Sequence, residues 1–327
     1  MGNTLAVIDC GTNTFNLLIV EEHEGEMRQV FSSKLPVKIG AGGFQERRIR
    51  PKRMLRALDA LLCHHSNCIN FGCNPIFAFA TSAIRDAQNQ DDFLQHVKQK
   101  IGLQIHVLSG EQEAEWIARG VRKSMTPTEE TALIMDIGGG SVEFIITRGE
   151  RNLWKASYNI GVSRLHEAYF KSDVSYTKGL GQASYFAELM DEIQKTTVPL
   201  LEALAVHRPT CLIGSSGSFD TLLDLFQEKI VHPNDTAEIC SEIPITHFQQ
   251  THQWMMKSKL EERYMHPLIP AIRAEYMPIA TVLIDFTLRK SGIQRLLHSP
   301  HSLKEGLLDA LLCGELNYNS SSSEGNA

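Results

Sequence analysis

The sequence lacks the features of several large protein classes. No apolar run approaches the roughly 18 residues that a membrane-spanning helix needs. The first residues show no basic segment followed by a long apolar one, so we expect no secretory signal. An excess of positive charge is also missing, because the formal net charge is −6. We therefore expect neither a membrane nor nucleic acid as a partner.

Two common nucleotide-binding motifs are missing as well. The chain contains neither the GxxxxGK[S/T] phosphate loop nor the GxGxxG dinucleotide fingerprint, which disfavours those two folds. Its seven cysteines are an odd number and match no zinc-binding spacing. Cys63, Cys68 and Cys73 stand near His64 and His65, but we expect free thiols in a reducing cytoplasm ahead of a metal site.

The sequence does contain a duplicated pattern of strands and helices. Its 327 residues are enough for two domains. The order β-β-β-α-β-α is predicted twice. The first copy has strands 5–9, 15–20, 27–34, 76–80 and 104–108 and helices 51–65, 91–101 and 111–120. The second has strands 132–136, 142–147, 152–158 and 210–213, a helical stretch 178–204, and a helix beginning at Phe219.

Helices are predicted to dominate the rest of the chain. They cover 246–257, 277–290 and 303–313, with a strand at 295–298. We predict one domain over residues 1–124 and another over 125–312, with helix 303–313 returning to the first domain. The polar segment 123–131 is the predicted linker and hinge. The Ser-rich tail 317–327 is predicted to be disordered.

Two similar turns begin the two halves, in "LAVIDCGTNTFNLLIV" and "ALIMDIGGGSVEFIIT". In each, an aspartate, Asp9 or Asp136, ends a strand. Glycines then let the backbone approach a ligand closely and expose its N–H groups. The hydroxyls of Thr12, Thr14 and Ser141 flank the turns, a combination that suits phosphate, while the aspartates suit hydrated Mg²⁺. Two ordinary tight hairpins are the alternative.

A third glycine-rich turn, "CLIGSSGSFDTLL", joins a predicted strand to a helix. Backbone N–H groups at a helix N-terminus can bind an anion or a ribose. In the second hairpin, Glu143 follows Ser141 by two residues and can therefore point the same way along the strand.

These motifs together resemble a known family. The "DCGTNT", "DIGGGS" and "GSSGS" turns resemble those of the actin, hexokinase and sugar-kinase superfamily. The segments "ATSAIRDAQN", "LSGEQEA", "MDIGGGSVEF" and "SLKEGLL", in this order, resemble the exopolyphosphatase and guanosine pentaphosphate phosphohydrolase family in its short, two-domain form. The resemblance, from about residue 5 to 312, implies an α/β fold of duplicated actin-like (ribonuclease H-like) domains with a cleft between them.

The resemblance also implies an active site. The expected reaction is Mg²⁺-dependent hydrolysis of the terminal phosphate of inorganic polyphosphate, with Glu113 as catalytic base and Arg85 as phosphate clamp. Asp136, Glu143 and Asp9 are expected to hold Mg²⁺ or another hard divalent cation. The expected phosphate-binding residues are Gly11, Thr12, Asn13, Thr14, Gly138, Gly139, Gly140, Ser141, Gly214, Ser215, Gly217 and Lys38.

Two positions depart from the family pattern. Gln112 replaces the first of two adjacent glutamates, and with Ser109 it predicts a capping box. Lys38 replaces an arginine, which keeps the charge but loses bidentate phosphate geometry. Simpler roles also exist: Glu113 suits the positive end of a helix dipole, and Arg85 could pair with a neighbouring aspartate at the surface.

Several alternatives stay open at this point. The same motifs suit a guanosine pentaphosphate (pppGpp) 5′-phosphohydrolase, and more distantly a kinase, a non-enzymatic nucleotide or alarmone sensor, or a filament-forming protein. Inorganic polyphosphate or pppGpp is the expected partner, and a homodimer is expected from similar folds. The basic run from Arg47 to Arg56 could guide a polyanion or simply be a solvated helix face. Two roles are open for His298, His301 and Lys304: a place at the edge of the cleft, or core packing and helix capping.

Overall fold

Two mixed sheets form the framework of the chain. The structure is a computed structural model that describes residues 4–126, 129–170, 186–230 and 239–316. The first half contains strands β1 (Thr4–Cys10), β2 (Thr14–His23), β3 (Glu26–Pro36), β4 (Ile76–Ala80) and β5 (Ile105–Val107). Its helices are α1 (Pro51–Asn70), α2 (Ser82–Arg85), α3 (Gln90–Ile101) and α4 (Gly110–Ser124).

The second half repeats this plan and adds to it. Its strands are β6 (Thr131–Ile137), β7 (Val142–Arg148), β8 (Arg151–Tyr158), β9 (Cys211–Ser215), β10 (Ser241–Ile243) and β11 (Leu296–His298). Its described helices are α5 (Val162–Tyr169), α6 (Phe186–Thr196), α7 (Val198–His207), α8 (Gly217–Gln227), α9 (Ile245–Lys257), α10 (Leu260–Met265), α11 (Met277–Ser291) and α12 (Leu303–Leu312).

The strand order confirms the predicted duplication. The first sheet runs β3-β2-β1-β4-β5, and the second runs β8-β7-β6-β9-β11 with β10 added at its edge. In both sheets the first strand is antiparallel to the second and parallel to the strand that follows the first long helical crossover. The chain is therefore a two-domain α/β protein with the actin-like fold. The exact domain boundaries remain a prediction.

The central strands are apolar because both of their faces are buried. All seven residues of β6 are buried. In β1, side chains alternate between faces: Ala6 and Ile8 join a core under α1 and α3, whereas Val7 joins a second core under α4 and α12. This burial fixes the register of each hairpin and so places the turn at its end.

The last helix, α12, packs directly on α4 of the first half. Two glycines permit this contact: a Cβ on Gly306 would lie 1.8 Å from the Trp116 carbonyl oxygen, and one on Gly120 would lie 1.9 Å from that of Ser302. Leu307 of α12 enters the core that contains β1 and β4 side chains. Residues near the end of the chain thus complete the packing of its beginning.

Some element predictions differ from the structure. Helix α1 continues to Asn70, beyond the predicted end at residue 65. Of the predicted helical stretch 178–204, residues 178–185 lie outside the described residues, and the rest forms two helices because Pro199 starts a new first turn at α7. The predicted disordered tail and part of the predicted linker lie outside the described residues.

Two features bear on the protein class. None of the described helices combines the length and apolar character that crossing a membrane requires. All seven cysteines are free. His64 is buried, and its Nε2 is 3.0 Å from the Phe15 carbonyl oxygen, so it packs in the core.

Candidate active site in the interdomain cleft

A cavity of about 450 Å³ lies between the two domains. Its wall includes residues 11–14 of the β1–β2 turn and residues 137–141 of the β6–β7 turn. Glu113 of α4 and residues 216–218 of the β9–α8 turn also line it. The structure therefore brings the two aspartate–glycine hairpins and the third glycine-rich turn to one cavity.

The β1–β2 turn directs backbone N–H groups away from the body of the first domain. The Thr12 carbonyl oxygen accepts a hydrogen bond from Ile39 N, and that of Asn13 accepts from the N–H groups of Val37 and Lys38. In a trans peptide the N–H points opposite to the carbonyl. The N–H groups of residues 13 and 14 consequently face the other side, toward the cavity that this turn lines.

The β6–β7 turn is arranged in the same way. Backbone N–H groups at the start of α5, in residues 161–164, donate to the carbonyl oxygens of Gly138, Gly139 and Gly140. By the same peptide geometry, the N–H groups of residues 139–141 point away from α5 and toward the cavity. The two turns thus present N–H groups that can bind phosphate oxygens from both domains.

Glycine is required where the two turns meet. A Cβ on Gly139 would lie 2.7 Å from Asn13 Nδ2, and one on Gly140 would lie 2.8 Å from Thr12 Oγ1 and 2.5 Å from Ser82 Oγ. Real Cβ atoms do not come this close, so any larger residue would push the turns apart. The glycines of the second hairpin therefore allow its backbone to lie close to residues of the first domain.

Asp136 and Asp9 end the two central strands next to these turns. Asp136 Oδ2 accepts hydrogen bonds from the hydroxyls of Ser215 (2.6 Å), Ser216 (2.7 Å) and Ser302 (2.6 Å). Asp9 Oδ2 accepts one from the Asn16 amide at 2.8 Å. Burial, followed by the Asp136 charge, raises the pKa of Asp9 to about 6 despite the Asn16 hydrogen bond.

Glu113 is buried in the first turn of α4 and paired with a cation. Its Oε2 is 2.6 Å from Arg85 Nη1, and only 6% of the residue is exposed. Burial raises the pKa of Glu113 to about 7, although the Arg85 charge and hydrogen bond act in the opposite direction. The predicted capping box is confirmed: Ser109 Oγ accepts from Gln112 N at 3.1 Å, and the Gln112 side chain accepts from Ser109 N.

Glu143 lies on β7 directly opposite Asp136. Its Oε1 accepts a hydrogen bond of 2.6 Å from Ser157 Oγ, and the residue is 1% exposed. Burial raises the pKa of Glu143 well above its ordinary value, and the charges of Glu113 and Asp136 raise it further. Glu143 lies behind the cavity wall among the same group of carboxylates.

This set of carboxylates fits a hard divalent cation. Asp9 Oδ1 is buried without a hydrogen-bond partner among the described residues, and the Asp136 charge raises the pKa values of Asp9, Glu113 and Glu143. A cation would relieve that repulsion. In the described part of the chain, no three His, Cys, Asp or Glu side chains stand close enough to form a complete cage. Mg²⁺ typically uses one or two carboxylates together with water and phosphate, so Asp9 and Asp136 suit it.

A basic cluster also lines the cavity, and two of its members, Lys34 and Arg273, were not predicted from the sequence. Lys34 and Arg273 line the cavity beside Asp220, with nitrogen–oxygen distances of 3.7 and 3.3 Å, and His298 Nε2 is 3.1 Å from Asp220 Oδ1. Lys304 also lines the wall. Burial would raise the pKa of Asp220, but the His298 hydrogen bond and the neighbouring cations hold it well below its usual range.

The cleft edge was one of the two roles expected for His298 and Lys304, and both line the cavity. Lys304 lies within the "SLKEGLL" segment, and His298 ends a predicted strand. Lys34 and Arg273 belong to no motif, and only the fold brings them together. His301 lies in the loop before α12, where its backbone N–H donates to Ser299 Oγ.

Several predicted site residues do not reach the cavity wall. Arg85 contacts Glu113, which lines it, and Glu143 lies opposite Asp136, which also does. Lys38 pairs with Glu275 at 2.9 Å and lies over the Tyr276 ring. A Cβ on Gly214 would collide with the Phe219 ring, so that glycine makes room for core packing. The wall does include Asp9, Gly11, Thr12, Asn13, Thr14, Glu113, Asp136, Gly138, Gly139, Gly140, Ser141 and Gly217.

The basic run between residues 47 and 56 lies outside the cavity. Arg47 and Arg50 are exposed before the start of α1, and Arg50 pairs with Glu46 at 2.7 Å. The run is thus exposed to solvent before and at the start of α1. A contact between this run and a polyanion remains a prediction.

Comparisons with known proteins agree with the geometry. The family model described as the Ppx/GppA phosphatase family matches residues 18–315. An exopolyphosphatase from Cytophaga hutchinsonii is 30% identical, with a TM-score of 0.88 over 95% of this chain and 98% of that chain. The Aquifex aeolicus member of the Ppx/GppA family is 22% identical, with a TM-score of 0.76 over 97% of this chain and 99% of that chain, and shows the same fold.

Proposed function

The chain belongs to the Ppx/GppA phosphatase family and is a phosphoanhydride hydrolase, and from that premise we propose that it is an exopolyphosphatase. In this proposal it removes the terminal phosphate of inorganic polyphosphate in the interdomain cavity. The observation that carries the proposal is that one cavity is lined by carboxylates, by phosphate-binding turns and by the basic side chains of Lys34, Arg273 and Lys304.

We assign the terminal phosphoryl group to the two hairpin turns. The N–H groups of residues 13–14 and 139–141 approach it from opposite domains and stabilise charge on its oxygens. Thr12 and Ser141 add hydroxyl donors at the cavity wall. These donors are fixed by the carbonyl contacts on the far side of each turn, so they need little reorganisation during the reaction.

Glu113 is proposed as the general base. Its carboxylate lines the cavity next to the turns, where it can orient a water molecule and accept its proton. A pKa of about 7 suits a base that works near neutral pH. The contact with Arg85 holds the carboxylate in one position, and Arg85 keeps a second hydrogen bond, to the Leu108 carbonyl oxygen at 3.1 Å.

Mg²⁺ or another hard divalent cation is the proposed cofactor. When bound, it would neutralise phosphate charge and polarise the phosphoryl group. Asp9 and Asp136 would hold it, with Glu143 behind them. The three hydroxyls on Asp136 Oδ2 already fix the orientation of that carboxylate and leave Oδ1 for other partners.

The basic cluster supports a polyanionic substrate. Lys34, Arg273 and Lys304 line the same cavity as the turns, and in this proposal they contact further phosphates of the chain. Such cations offset the charge of a polyphosphate even though the whole protein is acidic.

Guanosine pentaphosphate is the second candidate substrate. Leu223, Ile272, Tyr276 and Met277 also line the cavity. This apolar stretch of the wall could accommodate a nucleobase, which a polyphosphate does not have. We also propose a cytoplasmic location, supported by the seven free cysteines.

The test is phosphate release in Mg²⁺ from long-chain polyphosphate, pppGpp and ATP. Fastest release from polyphosphate supports the exopolyphosphatase proposal. Preferential release from pppGpp keeps the site and changes the substrate. A folded preparation that binds nucleotide but releases phosphate from none of the three would favour the sensor alternative.

A further inference from the structure

Helix α5 of the second domain carries side chains that reach the first domain. Ser163 Oγ donates to Asn13 Oδ1 at 2.9 Å. One turn further on, the Glu167 carboxylate accepts hydrogen bonds from the backbone N–H groups of Gly42 at 2.6 Å and Phe44 at 3.0 Å. A helix of eight residues thus contacts two separate segments across the cleft.

Arg164 lies between these two contacts and makes the most extensive set. Its Nε donates to the Gly140 carbonyl oxygen at 2.8 Å, and its Nη2 is 2.5 Å from Asp86 Oδ2 and 3.3 Å from Ser82 Oγ. The guanidinium also lies over the Phe44 ring, 4.8 Å from its centroid. Only 18% of the side chain is exposed.

Asp86 connects Arg164 to the proposed catalytic pair. Its other oxygen, Oδ1, is 3.6 Å from Arg85 Nε, and Arg85 Nη1 contacts Glu113 at 2.6 Å. A continuous series of ion pairs therefore runs from Glu113 through Arg85 and Asp86 to Arg164, and from there to the Gly140 carbonyl. The first three residues belong to the first domain and the last two to the second.

We propose that Arg164 is a positioning residue for the reaction, which holds the β6–β7 turn and the Arg85–Glu113 pair in mutual register when the two domains are together. The inference rests on the proposed hydrolysis at this site. Arg164 does not line the cavity, so it acts through Gly140 and Asp86.

The chemistry requires arginine at this position. A planar guanidinium can donate to a carbonyl and a carboxylate at the same time, whereas a lysine ammonium on a flexible stem cannot reproduce both contacts in fixed geometry. Asp86 is needed as well, because without it Arg85 and Arg164 would be two partly buried positive charges close together. Removing the Asp86 carboxylate should therefore disturb the contact between the domains more than removing the Arg164 guanidinium.

The experiment compares kcat and KM on polyphosphate in Mg²⁺ for Arg164→Gln, Arg164→Lys and a control, Arg122→Gln. Arg122 is similarly buried, with 12% of its side chain exposed, and it bonds Asn152 away from the cavity. We expect kcat to fall about 10–100-fold in Arg164→Gln with a smaller change in KM, because misplaced donors act mainly on the transition state. Arg164→Lys should be intermediate.

Two further measurements separate positioning from general destabilisation. The backbone N–H groups of residues 161–163 donate to the carbonyl oxygens of the β6–β7 turn, and their amide hydrogen exchange should accelerate in Arg164→Gln but not in Arg122→Gln. The double variant Asp86→Asn/Arg164→Gln should lose little more activity than the worse single variant, since both belong to one network.

An unchanged kcat in Arg164→Gln, or an equal loss in Arg122→Gln, would overturn the inference. If wild-type protein released no phosphate from any substrate, the proposed function would fail. The exchange measurement would then decide by itself: acceleration confined to Arg164→Gln would retain Arg164 as the residue that orders the turn, and unchanged exchange would remove it.

Discussion

Replacing Glu113 with glutamine is the perturbation that tests the proposed mechanism most directly. The amide keeps the size of the side chain but cannot accept a proton at neutral pH. A general base typically contributes about 10²–10⁴-fold to a rate, which corresponds to about 3–5 kcal/mol of activation free energy. We expect kcat on polyphosphate to fall by this amount. Glu111→Gln, an exposed acid in the same helical turn, should retain wild-type activity.

The raised pKa of Glu113 adds a second measurement to this prediction. With a pKa of about 7 in the folded protein, against an ordinary value of 4.5, the base loses its charge as the pH falls below 7. At low Mg²⁺, wild-type kcat/KM should therefore decline about tenfold per pH unit below that point. Higher Mg²⁺ should move the decline to lower pH, because a nearby cation favours the ionised carboxylate.

The same shift predicts a change in stability. The folded protein retains a proton that the unfolded chain releases between pH 4.5 and 7, so this group's contribution to the free energy of unfolding falls as pH rises through that window. The shift corresponds to roughly 3 kcal/mol for the ligand-free protein. Thermal or urea unfolding of Glu113→Gln should lack this part of the pH dependence.

Two results would refute this reasoning. A kcat for Glu113→Gln within about threefold of wild type would remove Glu113 as the base, given the 10²–10⁴-fold expected. If the residual activity of Glu113→Gln showed the same decline of kcat/KM below pH 7 as the wild type, the decline would belong to another titrating group.

Three further predictions concern the rest of the cavity. Gly140→Ala should lower kcat/KM about 10–100-fold in a protein that still melts cooperatively, because its methyl group would lie 2.8 Å from Thr12 Oγ1 of the other turn and 2.5 Å from Ser82 Oγ of α2. Wild-type activity would contradict the close approach of the two turns. Mg²⁺ should raise the melting temperature more at pH 8 than at pH 5, since Asp9 (pKa about 6) is protonated at the lower pH, and Asp9→Asn should reduce the difference; equal shifts in both proteins would remove Asp9 from the metal site. Arg273→Gln should raise KM for polyphosphate about tenfold or more and weaken its salt dependence, and an unchanged KM would place the phosphate chain elsewhere.

The hairpin turns and the order of strands could be predicted from the sequence because local physics determines them. Short apolar runs that are buried on both faces specify β1 and β6, and an aspartate followed by glycine ends each strand with a turn. Helix boundaries were less accurate. The predicted end of α1 at residue 65 was wrong, because the helix continues through the buried Cys68 to Asn70 without a glycine or proline to stop it earlier.

Two basic residues of the cavity wall, Lys34 and Arg273, could not be predicted from local patterns. Lys34 lies on a partly exposed strand and Arg273 in a loop, and each looks like an ordinary surface cation in the sequence. The fold of the second domain brings Arg273 to Asp220, and the packing of the two domains brings Lys34 there. The same is true of Arg164, whose partners come from segments far apart in the chain.

The packing of α12 on α4 also constrains how the chain acquires its structure during synthesis. Val7, Phe79 and Ile117 belong to a core that Leu303 and Leu307 complete. A nascent chain that has not yet released its last helix from the ribosome therefore exposes this apolar surface, even when every other element of the first domain has been made. The first domain therefore stays incompletely packed until α12 is available, so its early folding intermediate is the stage at which chaperone binding or aggregation should compete.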